Sequence, residues 1–173
     1  MSANDLRNPE WYFNRQLSLI EFNRRVLAQA ADTSNPLLER LKFLSIASSN
    51  LDEFFEIRVA GLRQASELGV RQSSPDSRTP QQLLCEISDR MHALVDEQYR
   101  ILNEAVIPAL ADAGIRFLRR TEWSDAQRIW IREYFEEELL PVLSPMGLDP
   151  AHPFPQVLNK SLNFIVALEG KDA

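Results

Sequence analysis

Few residues in this chain are of the type and spacing to do chemistry. Asn50 follows Ser48 and Ser49 and precedes Asp52, Glu53 and Glu56. Its amide holds both a donor and an acceptor. On the residues alone, the plain reading of Asn50 is a helix N-cap, its oxygen accepting a free backbone N–H. The acidic trio could be drawn as a metal cluster, but acids in a first turn ordinarily complement the helix dipole. His152 stands in the proline-rich run His152-Pro153-Phe154-Pro155. It reads as a loop residue fixed between prolines, because a reactive histidine needs an orienting partner. His92 reads as an ordinary side chain of a long helix. Arg24-Arg25, Arg40-Lys42 and Arg58-Arg63 could line a polyanion path, yet matching acids nearby favour pairing on helix surfaces. Glu136-Glu137-Glu138 reads as a solvated face. The five glycines are scattered, so no glycine-rich phosphate loop is present.

Composition narrows the class further. The chain has 173 residues, 45% apolar and 25% charged, which is the balance of a globular protein with a core. No apolar run reaches the roughly 20 residues of a spanning helix. The first residues lack the order of a secretory signal. One cysteine, Cys85, can make neither an internal disulfide nor a zinc site, and a reducing cytoplasmic setting is expected. The net charge is −6, all of it beyond residue 75, since residues 1–75 hold nine basic and nine acidic groups. An acidic surface repels nucleic acid and other polyanions, so no nucleic-acid partner is expected.

Capping and periodicity predict the elements that must position these residues. Ser18 to Glu21 has capping-box spacing, opening a helix over 18–31 that buries Leu19, Phe22, Val26, Leu27 and Ala30. Asn35-Pro36 opens a second, with Leu37, Leu41, Leu44 and Ala47 inward. Ser48-Ser49-Asn50 is expected to break it, and a third runs from Asn50 to about Gly69 with Leu51, Phe54, Phe55 and Leu62 buried. Residues 70–79 read as a loop. Thr79 then caps a long helix with Leu83, Ile87, Met91, Leu94 and Leu102 on its buried side. Pro108 should bend or interrupt it, and Gly114 should stop it. Beyond Gly114, Ile115–Leu118 and Leu162–Leu168 read as strands, and Ser124 with Gln127 caps a helix carrying Trp130, Tyr134 and Phe135. Two strands and one helix make no stable sheet alone, so the second domain is expected to be incomplete and the chain a fragment.

Two segments resemble the long, histidine-phosphorylating polyphosphate kinases. The first runs Phe13-Asn14-Arg15-Gln16-Leu17-Ser18, then Glu21 to Leu27, Asn35 to Leu44 and Ser48 to Phe55. The second is Leu148-Asp149-Pro150-Ala151-His152-Pro153-Phe154-Pro155, with Asn159 to Leu168 behind it. Gln16 stands where the family more often has glutamate, and Leu19-Ile20 where it has tryptophan-leucine. The resemblance implies a mainly α fold: a helical bundle over 1–112, then the beginning of an α/β head domain over 113–173. It implies reversible transfer of the terminal phosphate of ATP to polyphosphate through a phosphohistidine outside this chain, with magnesium ligands also elsewhere. Asn50 is the one nucleotide-binding residue the resemblance maps onto this sequence. Asp52 and Glu53 would repel phosphate, so a contact with the base or sugar is expected, the amide matching an adenine edge. By this reading the chain alone is inactive. ATP or ADP and inorganic polyphosphate are the implied partners, together with a homo-oligomer in the cytoplasm or peripherally at the membrane. A non-catalytic helical oligomerisation module is the alternative.

Overall fold

The computed structural model describes residues 8–70, 75–148, 151, 153–158 and 161–167, and it is mainly α. The chain divides into two units, Met1–Leu118 and Arg119–Ala173.

In the first unit, α1 spans Arg15–Ala31. Its cap is Asn14, whose side-chain oxygen accepts from the backbone N–H groups of Gln16 at 3.0 Å and Leu17 at 3.3 Å. The helix therefore starts three residues before the expected box. Ser18 lies inside it, its hydroxyl donating to the Asn14 carbonyl. The helix's inner face is formed by Leu17, Ile20, Asn23, Leu27 and Ala30. Phe22, expected inside, is exposed, and Leu19 and Val26 are partly buried.

The largest correction concerns Ser48-Ser49-Asn50. No break occurs there: α2 spans Leu37–Glu53, passes into π-type turns over Phe54–Val59, and continues as α3, Ala60–Glu67. Three poor helix formers cost a few tenths of a kcal/mol each, roughly. The buried Leu44, Ala47, Leu51 and Phe54 keep helical spacing straight through them, and their burial outweighs that cost. Asn50 is thus not a cap, and Asp52 and Glu53 occupy no first turn. Gly69, at φ +67°, ends the run as expected, with Val70 N–H reaching the Ala65 carbonyl.

Thr79 caps α4, Pro80–Arg100, in a reciprocal box with Gln82. Leu83, Ile87, Met91 and Leu94 are buried and Leu102 partly so. Pro108 does not stop the helix. Lacking an N–H, it cannot bond the carbonyl four residues back, and the ladder changes to π-type turns over Ile101–Val106 before α5, Ile107–Asp112. Gly114 terminates it at φ +88°, with Ile115 N–H donating to the Leu110 carbonyl at 2.8 Å. Gly114→Ala should cost about 1 kcal/mol, because a side chain disfavours this left-handed backbone while nothing crowds the site. Urea denaturation checks this.

In the second unit, Ser124 and Gln127 form the expected box at the start of α6, Asp125–Tyr134. Trp130 stacks on Tyr134 with centroids 5.4 Å apart. The two strand expectations are overturned among the described residues: 115–118 and 162–167 carry no strand. A strand needs a ladder partner, and neither segment has one here. Residues 162–166 instead leave Leu162, Phe164, Ile165 and Val166 exposed.

Candidate functional site

Within the first unit, α1 packs on α2 and α4, and one apolar cluster joins Ile20, Leu27, Leu44, Leu51, Ile87, Met91 and Leu94. A polar tie closes each seam. Between α1 and α4, Arg24 bridges Glu97 at 3.7 Å and Arg90 bridges Glu21 at 3.3 Å. Between α2 and α4, Gln98 Nε2 donates to Ser48 Oγ at 3.4 Å, and the other amide atom, Gln98 Oε1, is buried without a partner. Between α1 and α2, Asn50 Nδ2 donates to Asn23 Oδ1 at 2.9 Å.

The Asn50 amide is half-buried, flanking the buried stripe of α2. Its bond to Asn23 is its one side-chain hydrogen bond among the described residues. That leaves Oδ1 and the second N–H able to engage another molecule. Asn50 lines neither of two surface grooves in this unit. One, of about 650 Å³, is mostly apolar and runs between α3 and α4, lined by Phe55, Val59, Leu84, Met91 and Val95 among others. The other, of about 800 Å³, lies beside Tyr12, Phe13, Arg25, Arg78 and Arg90.

The basic residues are mostly spoken for. Arg24 pairs with Glu21, Lys42 with Glu39, and Arg63 with Glu67. Arg25 lies over the Phe22 ring at 5.8 Å. Arg78 binds Asp76 at 2.7 Å and Glu86 at 2.9 Å, and the hydrogen bond to Asp76 raises the pKa of its guanidinium above the ordinary value. Arg40 turns inward, donating from Nε to the Ala30 carbonyl. These pairings leave the second groove close to neutral, unlike a polyanion cradle.

His92 is exposed, with Nδ1 donating to the Ser88 carbonyl at 2.7 Å. His152 lies outside the described residues. Among the described residues no group of three or more His, Cys, Asp or Glu is arranged to hold a metal ion. No described helix is long and apolar enough to cross a membrane.

Asn23 and Gln98 escaped the sequence reading, and Arg40, expected to pair on a helix surface, is instead buried on the Ala30 carbonyl. Asn23 had a signal: it occupies a stripe position between Ile20 and Leu27 where an apolar residue is the rule. Arg40 and Gln98 had none, because their partners lie 10 and 50 residues away.

Comparison with known proteins follows the same division. Residues 12–118 match the polyphosphate kinase N-terminal domain, and 126–173 match the polyphosphate kinase middle domain. The chain is 55% identical over 162 residues to a polyphosphate kinase of Pseudomonas aeruginosa, covering 94% of this chain and 24% of that protein. It is 56% identical over 160 residues to one of Burkholderia multivorans, covering 92% and 23%. A crystal structure of polyphosphate kinase from Porphyromonas gingivalis superposes with a TM-score of 0.72 at 32% identity, covering 84% of this chain and 20% of that one. The chain thus spans about a quarter of the length of the curated relatives it matches. With the family's N-terminal and middle domains matched in order along one helical chain, this protein belongs to the polyphosphate kinase family.

Proposed function

We propose that this chain is the amino-terminal part of an ATP-polyphosphate phosphotransferase and that Asn50 contacts the nucleotide. The observation that carries the reading is the Asn50 amide, held at one N–H by Asn23 and left with an acceptor and a donor to spare. Phosphoryl transfer depends on positioning and charge neutralisation more than on protein acid–base work. A fixed amide suits positioning. With α2 running through Asn50, no helix N-terminus is present there to attract phosphate, and Glu53 adds negative charge about one turn on. Both features favour a base or sugar contact over a phosphate contact.

The phosphohistidine, the magnesium ligands and the polyphosphate path belong, in this reading, to sequence outside the chain. So does completion of the α/β head domain over 113–173. Homo-oligomerisation is part of the same proposal. The test is steady-state kinetics on the complete enzyme. Asn50→Ala should raise KM for ATP by about five- to tenfold, the loss of one or two neutral hydrogen bonds, with kcat nearly unchanged. An unchanged KM removes the assignment.

A further inference from the structure

Asn23 is only 3% exposed, on the inner face of α1 between Ile20 and Leu27. An amide there is costly. It disfavours helix interiors, and burying it loses hydrogen bonds to water that must be replaced. Leucine or isoleucine at this place would pack the seam at no such cost. Across the seam its Oδ1 accepts from Asn50 Nδ2 at 2.9 Å. That bond joins a buried amide to a half-buried one on the neighbouring helix.

We propose that Asn23 is a positioning residue that fixes the orientation of the Asn50 amide toward the nucleotide. An asparagine side chain can rotate by half a turn about its last bond and exchange donor for acceptor. With its oxygen toward Asn50, Asn23 accepts only from Nδ2 and so opposes that exchange. The Asn50 oxygen is thereby directed away from Asn23 and stays available as an acceptor. A nucleotide then meets one donor–acceptor pattern instead of two, and binding no longer has to select it. The inference rests on the nucleotide contact of Asn50 proposed above, and it adds a residue that touches no substrate itself.

The experiment is a double-mutant cycle in the complete enzyme, reading KM for ATP, kcat and the melting temperature together. Asn23→Leu keeps the branching and heavy-atom count of the side chain and removes the acceptor; Asn23→Ala serves if the bulkier leucine variant fails to fold. The expected result is a KM raised by about two- to fivefold with kcat unchanged, and an Asn50→Ala/Asn23→Leu double variant whose KM equals that of Asn50→Ala alone. A purely structural role would shift the melting temperature and the active fraction while leaving KM in place. If Asn50→Ala raises KM but Asn23→Leu does not, or if the two effects multiply, the positioning role is overturned and the Asn50 contact stands. If Asn50→Ala itself leaves KM unchanged, the contact fails, and the positioning role falls with it.

Discussion

Replacing Leu94 with alanine should lower the melting temperature of the chain by on the order of 10 °C, followed by far-ultraviolet circular dichroism. Leu94 is among the most completely buried side chains, 1% exposed, and belongs to the cluster joining α1, α2 and α4. Truncation removes three carbons from a site that three packed helices prevent from collapsing. The expected cost is about 2–5 kcal/mol, transfer and cavity terms together. Against a total of roughly 5–15 kcal/mol for a domain, that is a large share. The same change at Leu38, on the outward side of α2 and 62% exposed, should cost less than about 0.5 kcal/mol. Equal effects at the two positions would contradict the three-helix core.

Arg40→Ala should also be strongly destabilising, by about 2–3 kcal/mol in chemical denaturation. The last carbonyls of a helix lack partners within it. In α1 they are met from outside: Ala28 by the Asp32 N–H, Gln29 by Asn35 Nδ2 at 2.9 Å, and Ala30 by Arg40 Nε at 2.8 Å. Arg40 is buried and brings a positive charge to the negative end of the helix dipole, so its bond is charge-assisted. Its removal strands the Ala30 carbonyl and empties space against α1. Arg40→Met, which restores most of the packing but not the donor, should recover only part of the loss. Full recovery by methionine would assign the effect to packing alone.

The polar ties add geometric specificity to the helix seams as well as stability. An apolar seam tolerates small sliding, whereas Asn23 with Asn50 and Arg40 with Ala30 are satisfied only over a narrow range of distances. Exposed pairs such as Arg63 with Glu67 contribute little to either end.

Local chemistry wrote much of this protein legibly into its sequence. The boxes at Thr79/Gln82 and Ser124/Gln127 and the helix stops at Gly69 and Gly114 stand where their residue types put them, because each is satisfied by backbone within a few residues. The same local rules misled at Ser18 and at Ser48–Asn50. At the first, Asn14 supplied an earlier cap that brought Leu17 into the core. At the second, Leu44, Ala47, Leu51 and Phe54 had a shared interior to enter, and burying them outweighed three weak propensities. The strand expectations failed because a strand is defined by its neighbour, which a single segment cannot specify. Asn50 was legible as a residue of interest from sequence alone. That its amide answers to Asn23, 27 residues earlier on another helix, was decided only when tertiary packing brought the two oxygen- and nitrogen-bearing ends within 2.9 Å.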